Sequence, residues 1–297
     1  MTGAERGFLL LGSSLGDPLR KPLTKVQMRT LALRVRNAEH VTQERELVEE
    51  DLLALGYTAV YAQHILQLLS QEFLLRDYLH RAKTAQCLPL TRISDGYPRV
   101  LTDRLGAESP AVLWTKGDVE LLKGKKIALV GSRETYDSNA AFAEEVGKQA
   151  ALQGYTLVSG NARGADRIAQ NACLQHGGRV ICVVADSLVQ QKPHQRVLYV
   201  SEEDFDAPFS AQRAHSRNRV IHALVEKTFV AQCALEKGGT WAGTVKNLRC
   251  GWSPVFCYQD DSRAVFQLEH MGAQCVSVEE LNNLDALSGD FPSFFDQ

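Results

Sequence analysis

The sequence predicts an α/β protein, a doubly wound and mostly parallel sheet, with a smaller helical domain at its N-terminus. Three observations predict it. From about Thr24 to Ala85 apolar residues recur at helical spacing, whereas from Lys126 onward short β-branched runs alternate with helix-length amphipathic segments. The later runs are continuously apolar, which implies strands buried on both faces, as in a parallel sheet layered by helices. The length of 297 residues suits about two domains at roughly 150 residues each.

Taken in order, the helical half is marked by Leu47, Leu52 and Leu55, then Ile65, Leu66, Leu68 and Leu69, then Phe73, Leu74, Leu75 and Leu79. Pro89, Gly96, Pro98, Ser109, Pro110 and Gly117 punctuate the stretch after it. The expected division is therefore a helical domain over 1–85, an irregular connection over 86–117 and an α/β domain over 118–297. Within the last, the strands read as Ile127 to Val130, Thr156 to Val158, Val180 to Ala185, Val197 to Val200, Thr228 to Ala231, Val255 to Tyr258 and Cys275 to Val278. The intervening helices read as Ala140 to Gln153, Ala165 to His176, Gln212 to Leu224 and Ser262 to Met271.

Composition narrows the function. Hydrophobic residues at 44% and charged residues at 23% exclude wholesale disorder. Lys and Arg number 33 against 35 Asp and Glu, a net charge of -2, so no global field draws the chain to a polyanion and any such site is local. The longest apolar run, Val180 to Ala185, falls far short of the roughly 18 residues that span a bilayer. The Phe8 to Leu11 stretch, beside Glu5 and Arg6, is too short for a secretory signal. The expected location is the cytoplasm, with no membrane partner. Seven cysteines, an odd number without CxxC spacing, read as reduced thiols, and no cluster suggests a metal.

Four segments carry candidate chemistry. The first predicted strand ends in Gly131-Ser132-Arg133, where a glycine admits close backbone approach, a hydroxyl is at hand and a guanidinium can fork a phosphate. Ser138 or Asn139 is the expected cap of the next helix. The second strand delivers Ser159-Gly160, Arg163 and Gly164, a tight backbone cradle, followed by Asp166, which suits either the cradle or the helix terminus it begins. The third segment, Gln212 to Lys227, carries four basic residues against Glu226, a net of +3, just after the acidic Glu202, Glu203, Asp204 and Asp206. Arg217 and Arg219, flanking Asn218, lie two apart and diverge on a helix, so one can reach a phosphate while the other pairs with an acid. The fourth is Gly238-Gly239-Thr240, with Thr240 the expected helix cap and Trp241 either core or a base-stacking surface. Gly12-Ser13-Ser14-Leu15-Gly16 matches a nucleophile elbow in letters alone, since Asp17 and Pro18 follow in place of a helix. His215 and His222 lack metal-site spacing.

The run from Tyr97-Pro98 through Pro110-Ala111-Val112-Leu113, Lys116-Gly117-Asp118, Gly131-Ser132-Arg133, Ser159-Gly160, Arg217-Asn218-Arg219 and Gly238-Gly239-Thr240 resembles the DNA-processing protein A family (DprA, or Smf). The resemblance implies an extended Rossmann-like domain after a helical, SAM-like or helix-hairpin-helix-like one. It implies cytoplasmic binding of single-stranded DNA by a homodimer that passes the strand to the RecA recombinase during DNA uptake, without catalysis or cofactor. As phosphate contacts it carries over Gly131, Ser132, Arg133, Gly160, Gly164, Arg217, Asn218, Arg219, Gly239 and Thr240; Ser159, Arg163 and Gly238 belong to the same loops. The chain departs from the family at Ala214-His215-Ser216, where Phe-Pro is usual, at Gln232 for Glu, at Gln170 for His and at Gly243 for Thr. The rival reading is a Rossmann-like nucleotide sensor or a relative of the phosphoribohydrolases, although the Gly-Gly loop here leads to Val245, Lys246 and Asn247 with no acid at the helix start. Phe291-Pro292-Ser293-Phe294-Phe295 reads as a docking tail, for its own core or a second copy.

Overall fold

Thr2 and Thr24 each accept the backbone N–H three residues on, and Glu5 and Gln27 reach back to them, so two capping boxes start the first helices. The computed structural model describes residues 1–38 and 46–289, which leaves the Phe-rich tail outside the described residues. The helical region comprises α1 (Gly3–Gly12), α2 (Lys25–Arg36), α3 (Glu49–Ala54), α4 (Ala59–Leu69) and α5 (Glu72–Thr84). Leu11, Leu23, Met28, Leu31, Leu52, Ile65 and Leu68 form a small core of their own. Leu9, Leu10, Leu75 and Tyr78 from α1 and α5 instead join the core on one face of the sheet.

The sheet has nine strands: β1 (Leu88–Thr91), β2 (Val112–Lys116), β3 (Lys126–Val130), β4 (Thr156–Ser159), β5 (Arg179–Val183), β6 (Val197–Ser201), β7 (Lys227–Val230), β8 (Val255–Tyr258) and β9 (Gln274–Val276). Their order is β1-β2-β6-β5-β4-β3-β7-β8-β9, with β1–β2 and β2–β6 antiparallel and every other pair parallel. The mostly parallel, doubly wound sheet expected from the sequence is present. The stretch 86–117, expected to be irregular, instead supplies β1, β2 and the helix α6 (Arg99–Leu105). Pro89 suggested a loop, but β1 is an edge strand, where a residue without an N–H breaks no ladder.

Alternate residues of β3 face opposite cores. Ile127 and Leu129 pack with Phe142, Val146 and Ala169 from α7 (Asp137–Leu152) and α8 (Ala165–Gln175). Ala128 and Val130 pack with Ile221, Trp241, Val245 and Leu268 on the other side, from α10 (Asn218–Leu224), α11 (Gly238–Cys250) and α12 (Arg263–His270). The short α9 (Ala211–Ser216) leads into α10 at Arg217. The chain runs from β3 through β4 and β5 to β6 in one direction, then returns to β7, β8 and β9 on the other side of β3. The reversal between β3 and β7 opens a crevice at the strands' carboxyl ends, where open α/β sheets bind ligands.

Candidate anion-binding site

A cavity of about 560 Å³ fills this crevice. Gly131, Ser132, Arg133 and Glu134 enter it after β3, Asp166 from α8, Arg217 and Asn218 from the α9–α10 junction, and Lys237 to Thr240 from the loop that starts α11. Three cations, Arg133, Arg217 and Lys237, thus stand against two carboxylates, Glu134 and Asp166. The backbone amides at the N-terminus of α11 add positive potential on the same side.

The loops are braced against each other. Ser132 donates its backbone N–H to the Gln232 carbonyl at 3.0 Å, and the Thr240 hydroxyl donates to the Gly131 carbonyl at 3.0 Å. The latter corrects the expected cap: Lys237 holds the cap position of α11, and Thr240 ties that helix to the β3 loop. Likewise Tyr136, not Ser138 or Asn139, precedes α7. Asn139 is buried and donates to the Ala231 carbonyl and the Asp260 carboxylate, both at 2.8 Å. Trp241 is core, packed in the cluster with Val245 and Leu248.

Arg217 is the floor of the cavity. It is 7% exposed, and its Nε and Nη1 find no hydrogen-bond partner among the described residues. Gly160 exists to seat it: a Cβ there would overlap the guanidinium. Gly164 has φ of +77°, and a Cβ at that position would overlap the carbonyls of Ser132 and Arg133. Asp166 lies beneath, accepting the N–H groups of Gly160 at 2.9 Å and Ala162 at 3.2 Å. Burial pushes its carboxyl up, opposed by the charge of Arg217 and by those two donors. Burial also lowers the Arg217 guanidinium, with Asp166 acting in the other direction.

The predicted residues therefore divide. Gly131, Ser132, Arg133, Arg217, Asn218, Gly238, Gly239 and Thr240 meet at the cavity. Ser159, Gly160 and Gly164 support it from behind; Ser159 is fully buried and accepts a hydrogen bond from Gln170. Arg163 is exposed on the loop outside the lining. Arg219 is directed away from the cavity, and its assignment as a phosphate contact is corrected here. Its guanidinium is held by both carboxylate oxygens of Glu202, by the Ser216 carbonyl at 2.7 Å and by the Glu108 carbonyl at 3.3 Å. With side-chain exposures of 6% for Arg219 and 3% for Glu202, the guanidinium is committed to these partners. Lys237 and His222 also line the cavity, a role that sequence reasoning did not give them; the spacing of His222 one turn after Asn218 was the available signal. Among the described residues no group of three or more His, Cys, Asp or Glu is placed to hold a metal ion. No helix among them is long and apolar enough to cross a membrane.

A Rossmann-like sheet with a cationic crevice at its switch point defines the class of this protein by its architecture, and the crevice has the charge to receive an anion. Within that class, residues 89–283 match the family described as DNA recombination-mediator protein A. The chain is 30% identical over 216 residues to the DNA processing protein DprA of Streptococcus pneumoniae, covering 67% of this chain and 71% of the relative. It belongs to this family. The match to the Bacillus subtilis DprA, 31% identical over 144 residues, covers 45% of this chain and 48% of that relative. Among solved structures, the S. pneumoniae protein superposes with a TM-score of 0.68 at 24% identity, over 90% of this chain and 99% of that one. DNA processing protein A from Helicobacter pylori, described for its single-stranded DNA binding mode, gives a TM-score of 0.56 at 24% identity, over 67% of this chain and 94% of that one.

Proposed function

We propose that this chain binds single-stranded DNA, seating the sugar-phosphate backbone in the cavity between the Gly131–Arg133 loop, Arg217 and the start of α11. The observation that carries the reading is the floor arginine. A guanidinium buried without hydrogen-bond partners costs several kcal/mol, a cost that a phosphate offsets by pairing with it. Membership of the family and the binding mode named for the H. pylori protein support it. In this reading Arg133 and Lys237 hold neighbouring phosphates at the rim, and the amides of α11 take the remaining oxygens. No covalent step and no cofactor are assigned. The chain acts in the cytoplasm as a homodimer, protecting incoming strands and handing them to a RecA recombinase.

The test is fluorescence anisotropy of a labelled thymidylate oligomer at two salt concentrations, with duplex and thymidine monophosphate as competitors. Binding falls steeply with salt, and Arg217→Ala weakens it by more than about tenfold, the worth of a charged hydrogen bond. Unchanged oligomer binding in that variant overturns the proposal. Saturable binding of the mononucleotide with none of the oligomer favours the sensor reading, which the same cavity volume accommodates.

A further inference from the structure

His222 lines the same cavity although it is 1% exposed. Behind it runs a chain of buried polar groups. Its Nδ1 lies 3.2 Å from the Thr228 hydroxyl at the start of β7, which lies 2.8 Å from the Ser253 hydroxyl. The Ser253 hydroxyl is in turn 3.2 Å from Nδ2 of Asn247 on α11.

The direction of proton donation along this chain is set at its far end. The backbone N–H of Ser253 donates to Oδ1 of Asn247 at 2.9 Å, which fixes the orientation of that amide. Nδ2 of Asn247 therefore donates to the Ser253 carbonyl at 3.0 Å and to the Ser253 hydroxyl. Ser253 accepts from Asn247 and passes its own proton to Thr228, and Thr228 donates to Nδ1 of His222. The reverse order would strand the Ser253 hydroxyl proton at 2% exposure. A buried unsatisfied donor of that kind is disfavoured, because it forfeits its hydrogen bond to water without a replacement. Nδ1 is thus an acceptor, and the single proton of the neutral ring sits on Nε2. Burial, with the nearby charge of Arg217, holds the ring neutral, its pKa pushed down to about 3. Nε2 has no partner among the described residues. Gly243 keeps it clear, because a Cβ there would stand 3.1 Å from Nε2 and 3.1 Å from Cβ of Asn218.

We propose that His222 is a ligand contact, an uncharged N–H donor on the cavity wall beside Arg217 that binds a phosphate oxygen of the strand. The inference rests on the cavity being the seat of the sugar-phosphate backbone. It divides the work between two donors of different kind. Arg217 neutralises a phosphate and releases a counterion, so its loss lowers both affinity and salt slope. His222 carries no charge, so its loss lowers affinity and leaves the slope unchanged.

The experiment begins with nitrogen-15 imidazole spectra of the full, unmodified chain, which need no variant. The free protein shows the Nε2–H tautomer of His222, and the thymidylate oligomer shifts that proton's signal. His222→Leu weakens oligomer binding about threefold to tenfold at constant salt slope, the worth of one uncharged hydrogen bond. His222→Gln, whose amide offers an N–H at a similar reach, recovers most of the loss. Thr228→Val, which frees the tautomer without touching the cavity, falls between. An Nδ1–H tautomer in the free protein overturns the inference, as does a folded His222→Leu variant with wild-type affinity. If Arg217→Ala weakens binding while the Nε2–H signal stays unmoved by the oligomer, this inference alone fails; if Arg217→Ala has no effect, the cavity reading fails with it.

Discussion

Arg217 and Arg219 are two residues apart and equally buried, yet they serve opposite ends. Arg217 lines the large cavity; its Nε and Nη1 are buried without partners among the described residues, and the nearby Asp166 carboxylate is itself engaged by two backbone amides. Arg219 lies by a smaller groove on the other side of Asn218, lined also by Glu108, Ser216 and Lys246, and is saturated by Glu202 and two carbonyls. A third cation, Lys25 of α2, approaches Glu202 at 3.8 Å, so the helical region touches the same carboxylate. A basic motif, on this contrast, does not declare its own use. The partners that burial supplies decide which arginine is structural and which is left for a ligand.

The heaviest loss is expected on the structural side of this pair. Arg219→Ala leaves the Glu202 carboxylate, at 3% side-chain exposure, with only Lys25 at 3.8 Å among the described residues, and Glu202→Ala strips the arginine of its acid. Each is expected to lower unfolding free energy in urea by about 3–5 kcal/mol, because removing one partner leaves an uncompensated buried charge. A loss of less than about 1 kcal/mol would mean that the pair behaves as a surface bridge.

Arg217→Ala is expected to show the reverse pattern. Oligonucleotide affinity falls by about 1.5–3 kcal/mol, the range for hydrogen bonds to charged groups. The urea midpoint moves less than in Arg219→Ala, since Asp166 loses the cation that offsets its burial but keeps its two amide donors. Gly160→Ala probes the same seat from the other side. Its Cβ overlaps the guanidinium, so the variant displaces the arginine while leaving its charge in place, and binding weakens without a change of composition in the cavity.

Much of this was legible in the sequence. The seven strands of the parallel region and the alternation with helices follow from continuous apolar runs, and the glycines of the four loops marked the crevice. The divergence of Arg217 and Arg219 was readable from their spacing, but not which of them pairs, because Glu202, just after β6, becomes a neighbour of Arg219 only through the tertiary fold. β1 and β2 were missed since Pro89 and Pro110 mimic loop punctuation, and only sheet pairing distinguishes an edge strand from a connection. Gly243 stands where the family usually has Thr, with Thr244 one position on. It becomes intelligible once the ring of His222 is seen occupying the space a side chain would need.

The network behind His222 gives the comparison a pH dependence. The native ring is held neutral, with its pKa pushed down from 6.5 to about 3, whereas the unfolded chain takes up a proton below its ordinary value. Between those limits the unfolded state binds more protons, so stability present at neutral pH is lost as the pH falls, at about 1.4 kcal/mol per unit. From pH 7 to pH 5 this group contributes a loss of about 2 kcal/mol, measured as the difference in urea stability between wild type and His222→Gln. An identical pH profile in the two proteins would show that the ring is not held neutral.

The mildest change is expected at the rim. Arg133 is exposed and lines the cavity mouth, so its guanidinium is hydrated before any strand arrives and its contact is worth less than that of Arg217. Arg133→Ala is expected to cost about 1 kcal/mol or less in affinity and to flatten the salt slope by about 0.7, the share of one phosphate on a single strand. Its urea stability is unchanged within about 0.5 kcal/mol, as for surface substitutions generally. The two arginines then separate cleanly. Each removes one counterion's worth of salt dependence, but only the buried one takes with it hydrogen bonds made out of reach of water. Equal affinity losses at positions 133 and 217 would show that burial adds nothing and that the crevice acts as a diffuse cationic surface.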